Sequence, residues 1–186
     1  MCGPVSSSSS LPLTPAHSRE VQLSDQIDIR HATQSDQAAL ETLYTQARLG
    51  DSSDPIAAKF DVDTLVKQYL DHETSRLWVA ETGDSGPVGM VGLWPTDSHT
   101  AELRHLRVSK DHRSMGIGRL LVTHALDECR KRDVLKIVLD TYVERKAAIT
   151  LFEALGFQLA GSRQMDGKEI YDFYMNLYND DSDPIH

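Results

Sequence analysis

Residues 112–121, HRSMGIGRLL, set two glycines two positions apart, an arginine three before the first of them, and an apolar run straight after. A glycine pair ahead of a helix is either a tight turn or a cradle for an anion. Without a Cβ, glycine lets a ligand come close to the backbone. A helix starting behind it aims unpaired N–H groups and the positive end of its dipole at negative charge. A P-loop of the GxxxxGK[ST] type wants a lysine and a hydroxyl after its last glycine, and Arg119 and Leu120 stand there instead. A dinucleotide fingerprint would use Gly116, Gly118 and Asp140. Leu121 replaces its third glycine, however, and Ser109 to Met115 intervene after the preceding strand. A loop that needs only tight turns and holds nothing is the plain alternative.

The flanks extend the pattern. AELRHLRVS (101–109) ahead of the loop reads as a strand. A helix is expected from about Gly118 to Arg132, with Leu121, Val122, Ala125, Leu126 and Cys129 on its apolar face. VLKIVLDTY (134–142) is a β-branched run of strand length. AAITLFEALGF (147–157) returns to helical spacing, with Gly156 placed as a C-terminal cap. FQLAG and EIYDFYMNLY close the series as strands. Upstream, IDIRHAT (27–33) alternates as a strand, Thr33 to Asp36 offer helix caps, and Leu40, Leu43 and Tyr44 share a helical stripe. LGDSSDPIAAKF (49–60) reads as a loop, DVDTLVKQYLDH (61–72) as a short helix, and RLWVAET and PVGMVGLW as a hairpin joined by GDSG. The order β-α-α-β-β-β-α-β-α-β-β predicts an α/β fold. A single domain over residues 26–178 would hold a mixed, mostly antiparallel sheet flanked by helices, with parallel pairing confined to Ala101–Tyr142.

With Arg113, Gly116 and Gly118 in the order R-x-x-G-x-G, and ELRHLRV, DHRSMGIGRLL, KIVLDTY and AAITLFEALGF in succession, the sequence resembles the GCN5-related N-acetyltransferase (GNAT) family over about Ile27 to Tyr178. The resemblance implies an enzyme that moves an acetyl group from acetyl-CoA directly to a primary amine on a small molecule or peptide, with acetyl-CoA as co-substrate and no metal. It implies that Arg113, Ser114, Met115, Gly116, Ile117, Gly118 and Arg119 hold the pyrophosphate of coenzyme A. Backbone groups of Leu106 and Val108, flanking Arg107, would pair with the pantetheine amides along a splayed strand edge.

Glu102, on the strand before the loop, is the candidate general base by the same resemblance; a salt bridge with a neighbour such as Arg104 is the bland reading of the same residue. His105 has the better intrinsic pKa, but alternation puts it on the other face from Glu102 unless a bulge intervenes. The family's usual thiolate-facing tyrosine is Phe152 here, and its usual asparagine seven positions earlier is Arg145. Phenylalanine cannot donate a proton. Water, or Tyr142 at the end of the preceding strand, would serve instead. A non-catalytic sensor of acyl-CoA is the alternative that this departure keeps open.

Across 186 residues, 19 Lys+Arg against 28 Asp+Glu give a net charge of -9, the wrong sign for attracting nucleic acid or an anionic membrane. Cys2 and Cys129 are too few for a secreted disulfide scaffold, and a reduced, cytoplasmic setting is expected. Residues 1–25, rich in serine and proline, read as a disordered tail without the features of a signal peptide, and 179–186 as a flexible acidic tail. The histidines lack ligand spacing, so no metal site is expected. A monomer or homodimer is expected. Asp51 and Asp54, with Trp94 as an aromatic wall, would suit a cationic amine.

Overall fold

A computed structural model describes residues 27–46, 64–165 and 167–178. The expected tails, and the loop that carries Asp51 and Asp54, lie outside the described residues. The first strand, β1 (Ile27–His31), leads into a turn fastened by charge. Both carboxylate oxygens of Asp36 accept from the Arg30 guanidinium at 2.8 Å, and one of them also accepts from the Thr33 N–H at 2.7 Å. The Arg30 contacts, ahead of the Thr33 bonds, hold the Asp36 carboxyl down to about 2. This is the cap that the Thr33 to Asp36 stretch foretells. Helices α1 (Gln37–Gln46) and α2 (Leu65–Asp71) follow, burying Leu40, Leu43, Tyr44, Leu65, Val66 and Tyr69.

The remaining elements are β2 (Arg76–Thr82), β3 (Pro87–Pro95), β4 (Thr100–Val108), α3 (Ile117–Arg130), β5 (Lys136–Tyr142), α4 (Lys146–Ala154), β6 (Gln158–Met165) and β7 (Lys168–Asn176). Their order is the predicted one. One seven-stranded sheet runs β1-β2-β3-β4-β5-β7-β6. Every neighbouring pair is antiparallel except β4 and β5, which run parallel because α3 carries the chain back over the sheet.

Two cores cover the sheet. On one face α3 and α4 pack Leu121, Val122, Ala125, Cys129 and Phe152 against Ala101, Leu103, Ile137, Leu139 and Phe173. On the other, α1 and α2 pack against Leu77, Val79 and Met90. Burial of each such large aliphatic or aromatic side chain contributes about 1.5–3 kcal/mol, which drives both layers onto the sheet. Among the described residues no helix is long and apolar enough to cross a membrane.

β4 and β5 pair only from Thr100↔Lys136 to Glu102↔Val138. Beyond Glu102 they part. On the other side of β4 the register with β3 slips, since Met90 faces Arg107 while Gly92 faces Arg104, leaving Val91 opposite both His105 and Leu106. The extra residue makes a bulge, which bends its strand and steepens the local twist. The bend falls on the stretch of β4 that has left β5.

Candidate active site

The parting strands open a cavity of about 280 Å³, lined on one side by β4 from Glu102 to Arg107, on the other by β5 from Leu139 to Tyr142, and closed by Ala148 and Phe152 of α4. Its β4 wall owes its side chains to the bulge. Ala101 and Leu103 point to the α3 side; after the bulge Leu106 and Val108 take that side. His105, at φ 55°, turns instead toward Tyr44 and Tyr69, with ring centroids 6.0 and 5.9 Å away. The bulge thus meets the condition under which His105 and Glu102 can share a face, and both residues line the one cavity. Burial, helped by the Arg107 and Arg104 charges, drives His105 down to about 3. A buried imidazole so shifted stays neutral and is a weak proton acceptor.

Glu102 makes an ion pair with Nη2 of Arg104. The Arg104 guanidinium lies 5.3 Å over the Trp94 ring, which also meets Tyr69 at 5.4 Å and His72 at 4.6 Å. Trp94, expected as a wall for the acceptor, thus has its ring engaged by the chain's own arginine. Arg107 Nη1 donates to the Leu106 carbonyl at 2.9 Å, and Arg113 Nε to that of Val108 at 3.3 Å. The two carbonyls expected to meet pantetheine are each touched by an arginine.

The β5 wall presents Asp140 and Tyr142. Asp140 Oδ2 accepts from Arg163 Nη2 of β6 at 2.6 Å, and Arg163 Nε reaches both oxygens of Asp172 on β7 at 3.1 and 3.2 Å. Burial holds Asp140 above the usual carboxylate range; Glu102 and Asp172 add to the rise and Arg163 opposes it. Tyr142 is buried, with the Arg145 guanidinium 5.8 Å and the Lys168 ammonium 5.4 Å from its ring. Phe152, 3% exposed, stacks edge-on against Phe157 at 5.6 Å. Its ring belongs to the core and to the cavity wall at once. Sequence reading passes over the Asp140–Arg163 pair, because only the strand order brings β6 within reach of β5 across β7.

Past Val108 the chain turns through Ser109, whose hydroxyl meets His112 Nδ1 at 2.7 Å and whose N–H donates to the Val88 carbonyl at 2.8 Å. Arg113, Ser114, Met115 and Arg119 are exposed, while the Ile117 side chain is buried and leaves only its backbone to the loop. Gly116 caps α3 at φ 82°, with open space where a Cβ would stand, so its need for glycine is conformational. Gly118 differs. A Cβ there would meet Leu151 Cδ2 at 3.3 Å and Val108 Cγ2 at 3.9 Å, so its bare Cα lets α3 pack closely on α4. The first helical N–H to find an acceptor within the chain's own turn is Leu120, bonded to the Gly116 carbonyl at 3.0 Å, which leaves the preceding N–H groups of the first turn aimed outward. Among the described residues no three His, Cys, Asp or Glu side chains are grouped to hold a metal ion.

Residues 38–157 match the Acetyltransferase (GNAT) family. The chain belongs to this family. Among curated relatives, human N-acetyltransferase 8 is 35% identical over 106 residues, covering 54% of this chain and 46% of the relative. Human N-acetyltransferase 8B is 36% identical over 111 residues, covering 57% and 48%. The chain spans about half the length of the curated relatives it matches. A GNAT-family acetyltransferase from Staphylococcus aureus superposes with a TM-score of 0.67 over 82% of this chain and 99% of that one, at 20% identity. Salmonella typhimurium yncA, solved with its cofactor acetyl-CoA, does so with a TM-score of 0.69 over 82% and 94%, at 22% identity. These likenesses show the GNAT fold.

Proposed function

We propose that this chain is an N-acetyltransferase that moves the acetyl group of acetyl-CoA directly onto a primary amine of a small molecule or peptide. The observation that carries the proposal is the parting of β4 and β5 beyond Glu102, which opens a cavity with a carboxylate on its wall and the Gly116 turn at the far end of the same strand. The donor set fits coenzyme A: exposed Arg113 and the outward N–H groups at the start of α3 suit a pyrophosphate, and the bulged, unpaired reach of β4 suits the amides of a pantetheine arm. Membership of the GNAT family and the acetyl-CoA named with one structural neighbour support the same co-substrate.

Glu102 is the proposed base, taking a proton from the acceptor directly or through water, so that the neutral amine attacks the thioester carbon. Arg104 holds the carboxylate in place as its ion-pair partner. The departing thiolate, from a thiol of pKa near 8.5, needs little help at neutral pH, so water serves where Phe152 offers no hydroxyl. Cys129 is buried, and burial pushes its thiol up to about 12, so it takes no part in this chemistry as a nucleophile.

Two measurements test the reading. Arg113→Ala should weaken coenzyme A by about 1.5–3 kcal/mol, read by calorimetry, and a pantetheine fragment without the pyrophosphate by less. Equal losses for both ligands would move Arg113 out of the phosphate site. Release of coenzyme A over a panel of amines and peptides should follow acetylated product; tight binding without release for any amine would favour the acyl-CoA sensor.

A further inference from the structure

An ammonium nitrogen loses two protons on its way to an amide, and Glu102 accounts for one. We propose that Asp140 takes the second, with Arg163 as its positioning residue. The inference rests on the acetyltransferase reading and extends it to the opposite wall of the same cavity.

The placement follows from register. Val138 is the last residue of β5 to pair with β4, and its partner is Glu102. Asp140 lies two residues further along β5, on the same face of that strand, and therefore borders the cavity just where the strands have parted. Arg163 occupies Oδ2, and among the described residues nothing donates to Oδ1. Arg163 is itself steadied by both oxygens of Asp172, so its hold on Asp140 is fixed from the far side of β7. The charged groups acting on Asp140 are Glu102 from β4, Asp172 from β7 and Arg163 from β6, and Arg104, His105, Arg107, Tyr142 and Arg145 share the cavity. Two carboxylates thus face one space from two strands, each with an arginine on its outer side.

The chemistry assigns them different protons. The ammonium gives its first proton to Glu102, and the freed lone pair bonds to the thioester carbon. As the carbon–sulfur bond breaks, its electron pair leaves on sulfur. The nitrogen, now cationic and bonded to the acyl carbon, gives its second proton to Asp140 Oδ1. The thiolate takes a proton from water, and both carboxylates return theirs to solvent, for a net release of one proton. That second proton is much more acidic than the first, so a carboxylate can take it promptly, before the amine is expelled again. Burial, which raises the proton affinity of Asp140, improves the match.

The two roles separate in a pH series. Acetyl-CoA and the panel of primary amines and peptides serve as substrates, with coenzyme A release read as free thiol. Asp140→Asn should lower kcat by at least ~tenfold at every pH, with acetyl-CoA affinity kept within about twofold, because raising pH deprotonates the free amine but not the nitrogen after attack. The Glu102→Gln deficit should instead shrink as pH rises. Arg163→Gln should move the acidic limb of kcat/KM to higher pH, since loss of a neighbouring cation raises the proton affinity of a carboxylate; a merely structural arginine would leave the limb in place. An Asp140→Asn enzyme with turnover within about twofold of the parent, one rescued by alkali as Glu102→Gln is, or one altered only in amine KM would overturn the proposal. If the parent protein releases no coenzyme A with any amine, the acetyltransferase reading itself fails and this inference goes with it, an outcome distinct from transfer that ignores Asp140.

Discussion

The two walls of the cavity hold their charges in opposite ways. On β4 the partners are close in sequence or lie in the helices above: Glu102 pairs with Arg104, and Arg107 reaches the carbonyl of Leu106 while lying 4.8 Å over the Tyr44 ring. On β5 the ion-pair partner of Asp140 comes from the final hairpin, where Arg163 lies 23 residues on, while Tyr142 has Lys168 of that hairpin and the nearby Arg145 beside its ring. A β4 substitution is therefore expected to act on the chemistry with little consequence for the rest of the fold. A β5 substitution is felt through β7 and β6 as well. The difference teaches that the carboxylate of one wall finds its counter-ion on its own strand and that of the other borrows one from across the sheet.

The strongest way to break the comparison is Glu102→Gln. Turnover should fall by on the order of a hundredfold near neutral pH, with acetyl-CoA affinity kept and part of the rate recovered as the amine deprotonates unaided. Turnover equal to the parent's at all pH would reduce Glu102 to the ion-pair partner of Arg104 and leave the β4 wall without a catalytic group.

A second test sharpens the claim that the β4 bulge buries His105. Its folded pKa, about 3, lies below the ordinary value of about 6.5, so the imidazole must stay neutral in the folded chain while the unfolded chain takes up a proton. The resulting stability is present above about pH 6.5 and is lost as pH falls from there toward about 3. Thermal melting should therefore drop over that window, and His105→Gln should flatten the upper part of the slope, above the range where carboxylates titrate. His31 is shifted the same way, by desolvation first, and supplies the remainder. An unchanged slope in His105→Gln would mean that the bulge does not bury the ring.

The smallest effect concerns the floor that the walls share. Phe152→Tyr puts a hydroxyl into the contacts around Phe157 and Phe173. Burial of that hydroxyl without a partner should cost about 1–3 kcal/mol, read as a lowered melting point with no gain in turnover. A faster enzyme of unchanged stability would instead place the ring edge at the departing sulfur.

Much of this architecture was legible without coordinates. Period-2 runs such as IDIRHAT and RLWVAET, helical stripes such as Leu121, Val122, Ala125 and Cys129, and the Thr33 to Asp36 cap are local patterns, written by the geometry of a single element. The glycine loop was legible for the same reason; Glu102 stood out through the family resemblance, with Arg104 two residues on as its plain ion-pair partner. Gly116 and Gly118 looked alike in sequence, and only the packed structure shows Leu151 where a Gly118 side chain would be.

Local chemistry thus determined the order of elements, the charge balance and the loop at the start of α3, while the family resemblance singled out the candidate carboxylate on β4. Tertiary structure alone decided that β4 bulges at His105, a histidine with no glycine or proline beside it to announce a left-handed residue. It also decided that Phe152 belongs to core and cavity together, and that Asp140 meets Arg163 across an intervening strand. The physical reason is common to all three. A periodic pattern records which face of an element seeks burial, whereas a bulge, a shared wall and a cross-strand ion pair are set by which elements the sheet order brings side by side, and no stretch of neighbouring residues carries that information.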